Sequence, residues 1–291
     1  MRWRASADPN EPPPRLSRSA SCRQGLARES SQRSRPRISS SIELRSRHVT
    51  TPRSGADLDS QQLILGIVWY VVFLFSTTCH EAAHAWAARR GGDPTAYLGG
   101  QVSLDPRPRI RREPFGTVVV PILSFLLGGW MIGWASTPYD PRWAEAYPRR
   151  AAWMSLAGPG ANLALVLISG VLVRAGLAAG VWAPPILPHM GQVAVAHGSE
   201  LGASVALLVS VFFTLNLLLL TFNLLPLPPL DGSGALPLVL GDRAAAAWLR
   251  LMRQPAMGLI GLLLAWNLFG PVFGRFYRLA LQLLYSGGSI G

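Results

Sequence analysis

The sequence predicts an all-α polytopic membrane protein, with about four to six transmembrane helices and a re-entrant or short β element between the first and second apolar segments. Three observations carry this expectation. Of 291 residues, 49% are hydrophobic and only 14% are charged, and the mean hydropathy is positive, a balance unlike that of a soluble globular domain. Apolar runs recur at close to the twenty residues that a bilayer helix needs. The polar connections between them are short, too short to hold an inserted soluble domain.

Taken in order, residues 1–56 stand apart as an Arg/Ser/Pro-rich tail. They hold twelve Arg against four acids, show no sustained apolar periodicity and cannot bury a core, so disorder is expected there. The formal net charge is +12, of which the tail supplies +8, leaving +4 for the rest. All 27 basic residues are Arg. A phosphate-binding surface usually mixes Arg with Lys, so no nucleic-acid partner is expected. Residues 57–291 are then the membrane-embedded domain.

Its apolar runs fall at about 62–88, 115–136, 151–175, 202–224 and 256–286. The second carries a proline and four glycines, and the last is interrupted by Gly270-Pro271. The two cysteines, Cys22 and Cys79, offer neither a disulfide framework nor a CxxC pair.

Chemistry is concentrated at the end of the first run, in His80-Glu81-Ala82-Ala83-His84, an HExxH pattern. On a helix, positions i and i+4 share one face, so both imidazoles reach one ion. Glu81 follows the first ligand, where a carboxylate can take a proton from water at the metal. Ionisable groups inside a membrane span are costly and usually functional. A zinc hydrolase site needs a third protein ligand. His189 and His197, in a Pro/Gly-rich connection, could serve. Asp231 is better placed, because it ends "FNLLPLPPLDG", where an apolar helix meets three prolines. Irregular backbone at membrane depth is tolerated where it lines a cavity.

The HExxH in one apolar run, joined to N-x-x-P-x-x-x-L-D-G at the end of a later one (Asn223, Pro226, Leu230, Asp231, Gly232), resembles the site-2 protease family of intramembrane zinc metalloproteases. "GGDPTAYLGGQVSLDP", "EPFGTVVVPIL", "GWASTPYDP" and "LAGPGANLALV" extend the likeness over residues 62–240, in the order of the compact bacterial members without a PDZ domain. The resemblance implies one zinc ion per chain held by His80, His84 and Asp231, with Glu81 as general base. It implies that Asn223 assists near the scissile bond, with Asn162 lining the same cavity. It also implies transmembrane protein substrates, contact with membrane lipid and a multi-pass place in the bacterial cell membrane. Gly100-Gln101 departs from the Gly-Arg of many members, and the stretch Arg109 to Glu113 lacks a histidine that many carry.

Two structural expectations follow. The alternation in "AYLGGQVSLDP" suggests an edge strand, centred on Val102 to Leu104, that holds an unwound substrate by β-augmentation. For His84 and Asp231 to share one ion, the helices that carry them should run parallel, so one of the two intervening apolar runs should fail to cross. The 115–136 run, with Gly116, Pro121, Gly128, Gly129 and Gly133, is the one expected to be re-entrant or bent. Two other readings compete: an ion transporter using the broken helix after Asn223, and a catalytically silent membrane scaffold. A bis-histidine haem is disfavoured, because His80 and His84 share a single helix face.

Overall fold

The computed structural model describes residues 60–286, apart from 197 and 253. The expected disordered tail of residues 1–56 and the candidate ligand His197 lie outside the described residues. Among the described residues, four helices are long and apolar enough to cross a membrane. They are α1 (Ser60–Gly91), α6 (Pro148–Ala178), α7 (Glu200–Asn223) and α10 (Pro255–Tyr285). Thirty-two residues at 1.5 Å each make α1 about 48 Å long, so it clears the hydrocarbon layer and carries Arg89 and Arg90 beyond it. Those two arginines in the last turn also complement the helix dipole.

The chain stops and starts where its side chains dictate. After α1, Gly92 takes a positive φ of 101° and Pro94 bars further helix. Ser199 caps α7 by accepting a hydrogen bond from the Gly202 amide. Pro226, Pro228 and Pro229 forbid continuation of α7 beyond Asn223. Pro148 opens α6 and Pro255 opens α10 at first-turn positions that have no amide to lose. The last run was expected to break at Gly270-Pro271, but α10 continues through it. Proline removes a single hydrogen bond there, and in lipid the helix is the one way to satisfy the rest.

Helices α1, α6 and α7 pack against one another, and α10 lies against α7 and α6. Lipid tails are as apolar as leucine, so close packing rather than water exclusion holds such helices together. Small residues permit it: Ala88 of α1 sits in one buried cluster with Ala151 and Met154 of α6. A second cluster joins Trp69, Val72 and Phe73 of α1 to Val211, Leu215 and Leu219 of α7. Two-thirds of the apolar window of α7 is buried against 17% for α10, so α7 is the central helix and α10 a peripheral one. The outer faces expose Leu63, Ile64 and Ile67 of α1, Leu167, Ile168 and Val171 of α6, and Leu262, Leu263 and Trp266 of α10. Such continuous apolar faces are untenable in water and natural in lipid. The protein is an integral membrane protein.

The 115–136 run does not cross. It forms a π-helical turn (Phe115–Val119) and a nine-residue helix, α4 (Val120–Gly128), together shorter than a span. Gly129, at φ 72°, ends α4, and the chain returns extended alongside it. On the return the Ile132 amide donates to Ser124 Oγ at 3.0 Å and the Trp134 amide to the Gly116 carbonyl at 3.0 Å. Gly116 and Gly133 permit this approach, since a Cβ on either would strike the opposite limb of the element. At the mouth, Ser136 donates to the Glu113 carboxylate, which joins the two ends of the element. With one span, α6, left between them, α1 and α7 run parallel, as the shared-ion argument requires.

The expected strand at Val102 to Leu104 is absent. Residues 95–113 instead form two short helices, α2 (Thr95–Leu98) and α3 (Arg107–Arg112), joined by bends. Arg109, only 2% exposed, donates to the Gln101 carbonyl at 2.6 Å and the Asp105 carbonyl at 2.9 Å. It gathers onto itself carbonyl groups that an edge strand would have presented outward. The short sheet lies elsewhere, between α6 and α7, as an antiparallel pair of Trp182–Ala183 and Val195–Ala196. Its loop is pinned to α7 by Ser210 Oγ, which accepts from the amides of Val193 and Ala194. The remaining short helices among the described residues are α5 (Pro141–Ala146) before α6, then α8 (Asp231–Ala235), a 3-10 turn (Leu236–Leu238) and α9 (Asp242–Met252) between α7 and α10.

Candidate metal centre

His80 and His84 lie one turn apart on α1, both 6% exposed. Their Nε2 atoms are 3.0 Å apart. Asp231 is the first residue of α8, delivered by an extended Leu230 immediately after the proline-rich turn. Its Oδ2 stands 3.0 Å from His80 Nε2 and 3.3 Å from His84 Nε2. Residues 147 positions apart in sequence (231 − 84) thus converge on one point. Among the described residues these three form the cluster whose ligand atoms could hold one metal ion. His189 is exposed, with Nδ1 3.0 Å from the Met190 carbonyl, and takes no part.

The far sides of the imidazoles decide what their near sides offer. His84 Nδ1 is 2.7 Å from the Met154 carbonyl, an acceptor only, so Nδ1 carries the hydrogen. His80 Nδ1 is 2.5 Å from Asn162 Oδ1. Each Nε2 therefore turns a lone pair toward Asp231, the usual arrangement of a metal-bound histidine. The Asp231 carboxylate faces both of these nitrogens, Oδ2 foremost. Its Oδ2 is buried and receives no hydrogen bond. Three lone-pair atoms at these separations need a cation among them, a proton in the free protein or a metal ion. Two imidazoles with one carboxylate make the donor set of a catalytic zinc site, which keeps its fourth position open. The residues fit the metal.

Helix α6 forms the back wall. A Cβ placed on Gly158 would collide with Nε2 of both His84 and His80, so only glycine lets this helix come so close. One turn on, Asn162 reaches His80. The "GPGAN" stretch thus supplies an approach and a partner for a ligand.

Glu81 is 5% exposed. Its Oε2 accepts from Thr137 Oγ1 at 2.7 Å, and the same hydroxyl lies 2.9 Å from the Glu81 carbonyl. Thr137 belongs to the return limb of the re-entrant element, which Asp93 ties to the end of α1 by accepting the Asp140 amide at 2.8 Å. Asn223, the last residue of α7, donates its side-chain amide to the Leu219 carbonyl at 3.0 Å, one turn back on its own helix.

Sequence reasoning gave no role to Thr137, Gly158, Asn216 or Ser76, although the motifs "GWASTPYDP" and "LAGPGANLALV" hold the first two. Asn216 was open to notice, since an amide within "TLNLLLL" is costly in lipid unless paired. Thr137 stood inside a family motif, but nothing in the sequence pointed it at Glu81.

The sequence pattern described as Peptidase family M50 matches residues 68–262, a span that takes in the whole constellation. A Bacillus subtilis protein named "Putative zinc metalloprotease YwhC" is 34% identical over 167 residues, covering 56% of this chain and 64% of that protein. "Putative zinc metalloprotease Rip2" of Mycobacterium tuberculosis is 33% identical over 207 residues, covering 71% of this chain and 70% of its own. The chain therefore spans a little under two-thirds of the Bacillus relative's length. No solved structure matches it.

Proposed function

The chain belongs to peptidase family M50, and from that premise we propose that it is a zinc metalloendopeptidase that hydrolyses peptide bonds within or near transmembrane segments of membrane-protein substrates. The observation that carries the reading is the convergence of His80, His84 and Asp231, with the Glu81 carboxylate on the same helix. His80, His84 and Asp231 would hold one zinc ion. Bound there, zinc supplies a Lewis-acidic centre that activates water and polarises the peptide carbonyl.

The protein's own groups do the rest. The Glu81 carboxylate takes the proton of the attacking water and returns it to the leaving amine. Thr137 restrains Glu81 by holding Oε2, so the remaining oxygen is the one free to move the proton. Asn162 and the Met154 carbonyl keep the imidazoles from turning. Asn223 positions the substrate backbone: its amide leaves the Leu219 carbonyl and donates to the peptide oxygen as charge develops there. Lipid-facing walls on α1, α6 and α10 and a site among spanning helices suit a substrate that is itself a membrane segment. The relatives are bacterial, in keeping with a multi-pass place in the bacterial cell membrane.

The test is zinc per chain in detergent-purified protein, wild type beside Asp231→Ala, followed by cleavage of a transmembrane reporter. About one zinc in the wild type, a clear loss in the variant and cleavage by the wild type alone are expected. Correctly folded wild type without zinc overturns the reading.

A further inference from the structure

Behind Asn162, the partner of His80, a row of polar side chains continues, enclosed between α1, α6 and α7. Ser76, Asn216 and Asn162 are each 0% exposed. Asn216 Nδ2 donates to the Phe212 carbonyl and to Ser76 Oγ, both at 2.9 Å. Asn162 Nδ2 donates to Asn216 Oδ1 at 2.9 Å, and Asn162 Oδ1 faces His80 Nδ1.

The row has a direction, fixed at one end. A backbone carbonyl has no proton to give, so the group of Asn216 that faces Phe212 must be its NH2. Its Oδ1 then faces Asn162, which must present an NH2 in return. That leaves Asn162 Oδ1 for His80, whose Nδ1 must carry the hydrogen. His84 needs no such relay, because the Met154 carbonyl holds its Nδ1 directly. We infer that Asn216 is a positioning residue for the metal centre: read from the Phe212 carbonyl through Asn216 and Asn162, the row sets the tautomer and ring plane of His80, so that Nε2 offers its lone pair to the metal. Outer partners of this kind typically change metal affinity by about 10–100-fold. The inference rests on the zinc reading above.

The experiment measures the zinc dissociation constant by chelator competition in the full chain purified in detergent, for wild type, Asn216→Leu and Asn216→Asp. Aspartate keeps an acceptor toward Asn162 in either protonation state, whereas leucine removes it. Asn216→Asp should bind within about threefold of wild type, and Asn216→Leu about 10–100-fold more weakly, with helix content and gel-filtration profile unchanged. A merely structural role predicts the reverse order, since leucine suits an apolar bundle better than a buried carboxyl group. Wild-type affinity in Asn216→Leu, or weaker binding by Asn216→Asp than by Asn216→Leu, overturns the inference. Should the leucine variant fail to fold, Asn216→Ala removes the same groups without added bulk, and the same ordering is required of it. Zinc-free wild type sinks the zinc reading itself; zinc-bound wild type with an indifferent Asn216→Leu sinks this inference alone.

Discussion

Replacing Gly158 by alanine adds one methyl group to the face of α6 that backs the two histidines. Ordinary contact with an imidazole nitrogen begins at 3.4 Å, and the methyl would fall well inside that limit for both Nε2 atoms. The rings would have to retreat by roughly 1 Å, whereas metal–ligand distances tolerate about 0.2 Å. Loss of zinc affinity by at least about 100-fold follows, equivalent to ~2.7 kcal/mol. Gly160 is the internal control. It lies two residues on in the same helix, and a Cβ there meets nothing within 4 Å. Gly160→Ala should leave zinc binding untouched and stabilise the helix by ~0.5–1 kcal/mol. Chelator competition reads the affinity, and thermal unfolding in detergent reads the stability. If Gly158→Ala binds zinc as wild type does, or if the two alanine variants lose it alike, the close approach of α6 to the ligands is not what shapes the site.

Three further outcomes are expected. Glu81→Gln should retain about one zinc per chain while cleavage of a membrane reporter falls by about 10²–10⁴-fold; loss of the zinc together with activity would show that Glu81 has a ligand or folding role instead. Thr137→Val keeps the shape but removes the donor to Glu81 Oε2, so kcat should fall by about 10–150-fold, the effect of removing a bond to a charged group worth ~1.5–3 kcal/mol, with zinc content unchanged. Single cysteines at Arg112 and Tyr139, in a background lacking Cys22 and Cys79, should be labelled from the same side of the membrane, because Glu113 and Ser136 close the mouth of the re-entrant element; labelling from opposite sides would make 115–136 a full crossing.

What could be read from the sequence, and what could not, divides along a physical line. His80 and His84 were legible because their spacing is a property of a single helix. Asp231 was legible because three prolines beside an aspartate make sense in a membrane only around a polar cavity. The parity of crossings then removed the 115–136 run from the spans. Contacts that depend on how one helix is rotated against another were not legible. Asn216 announces that it needs a partner, but whether that partner is Ser76, Asn162 or neither depends on the rotation of α1 and α6 about their axes. The alternation around Val102 misled because Arg109, several residues downstream, claims the carbonyls on which a strand depends. The hairpin at Trp182–Ala183 is two residues per strand and too short to imprint a period on the sequence.

The order in which the ligands leave the ribosome has a consequence for the cell that makes this protein. Two of them are translated early, on the first span, and the third only after two more spans and a run of prolines have been synthesised. Until that last turn docks, the histidines lack their carboxylate. On the proposed reading, a half-inserted chain thus has its metal centre still unassembled. Completion of the fold is, on that reading, the step that assembles the metal centre.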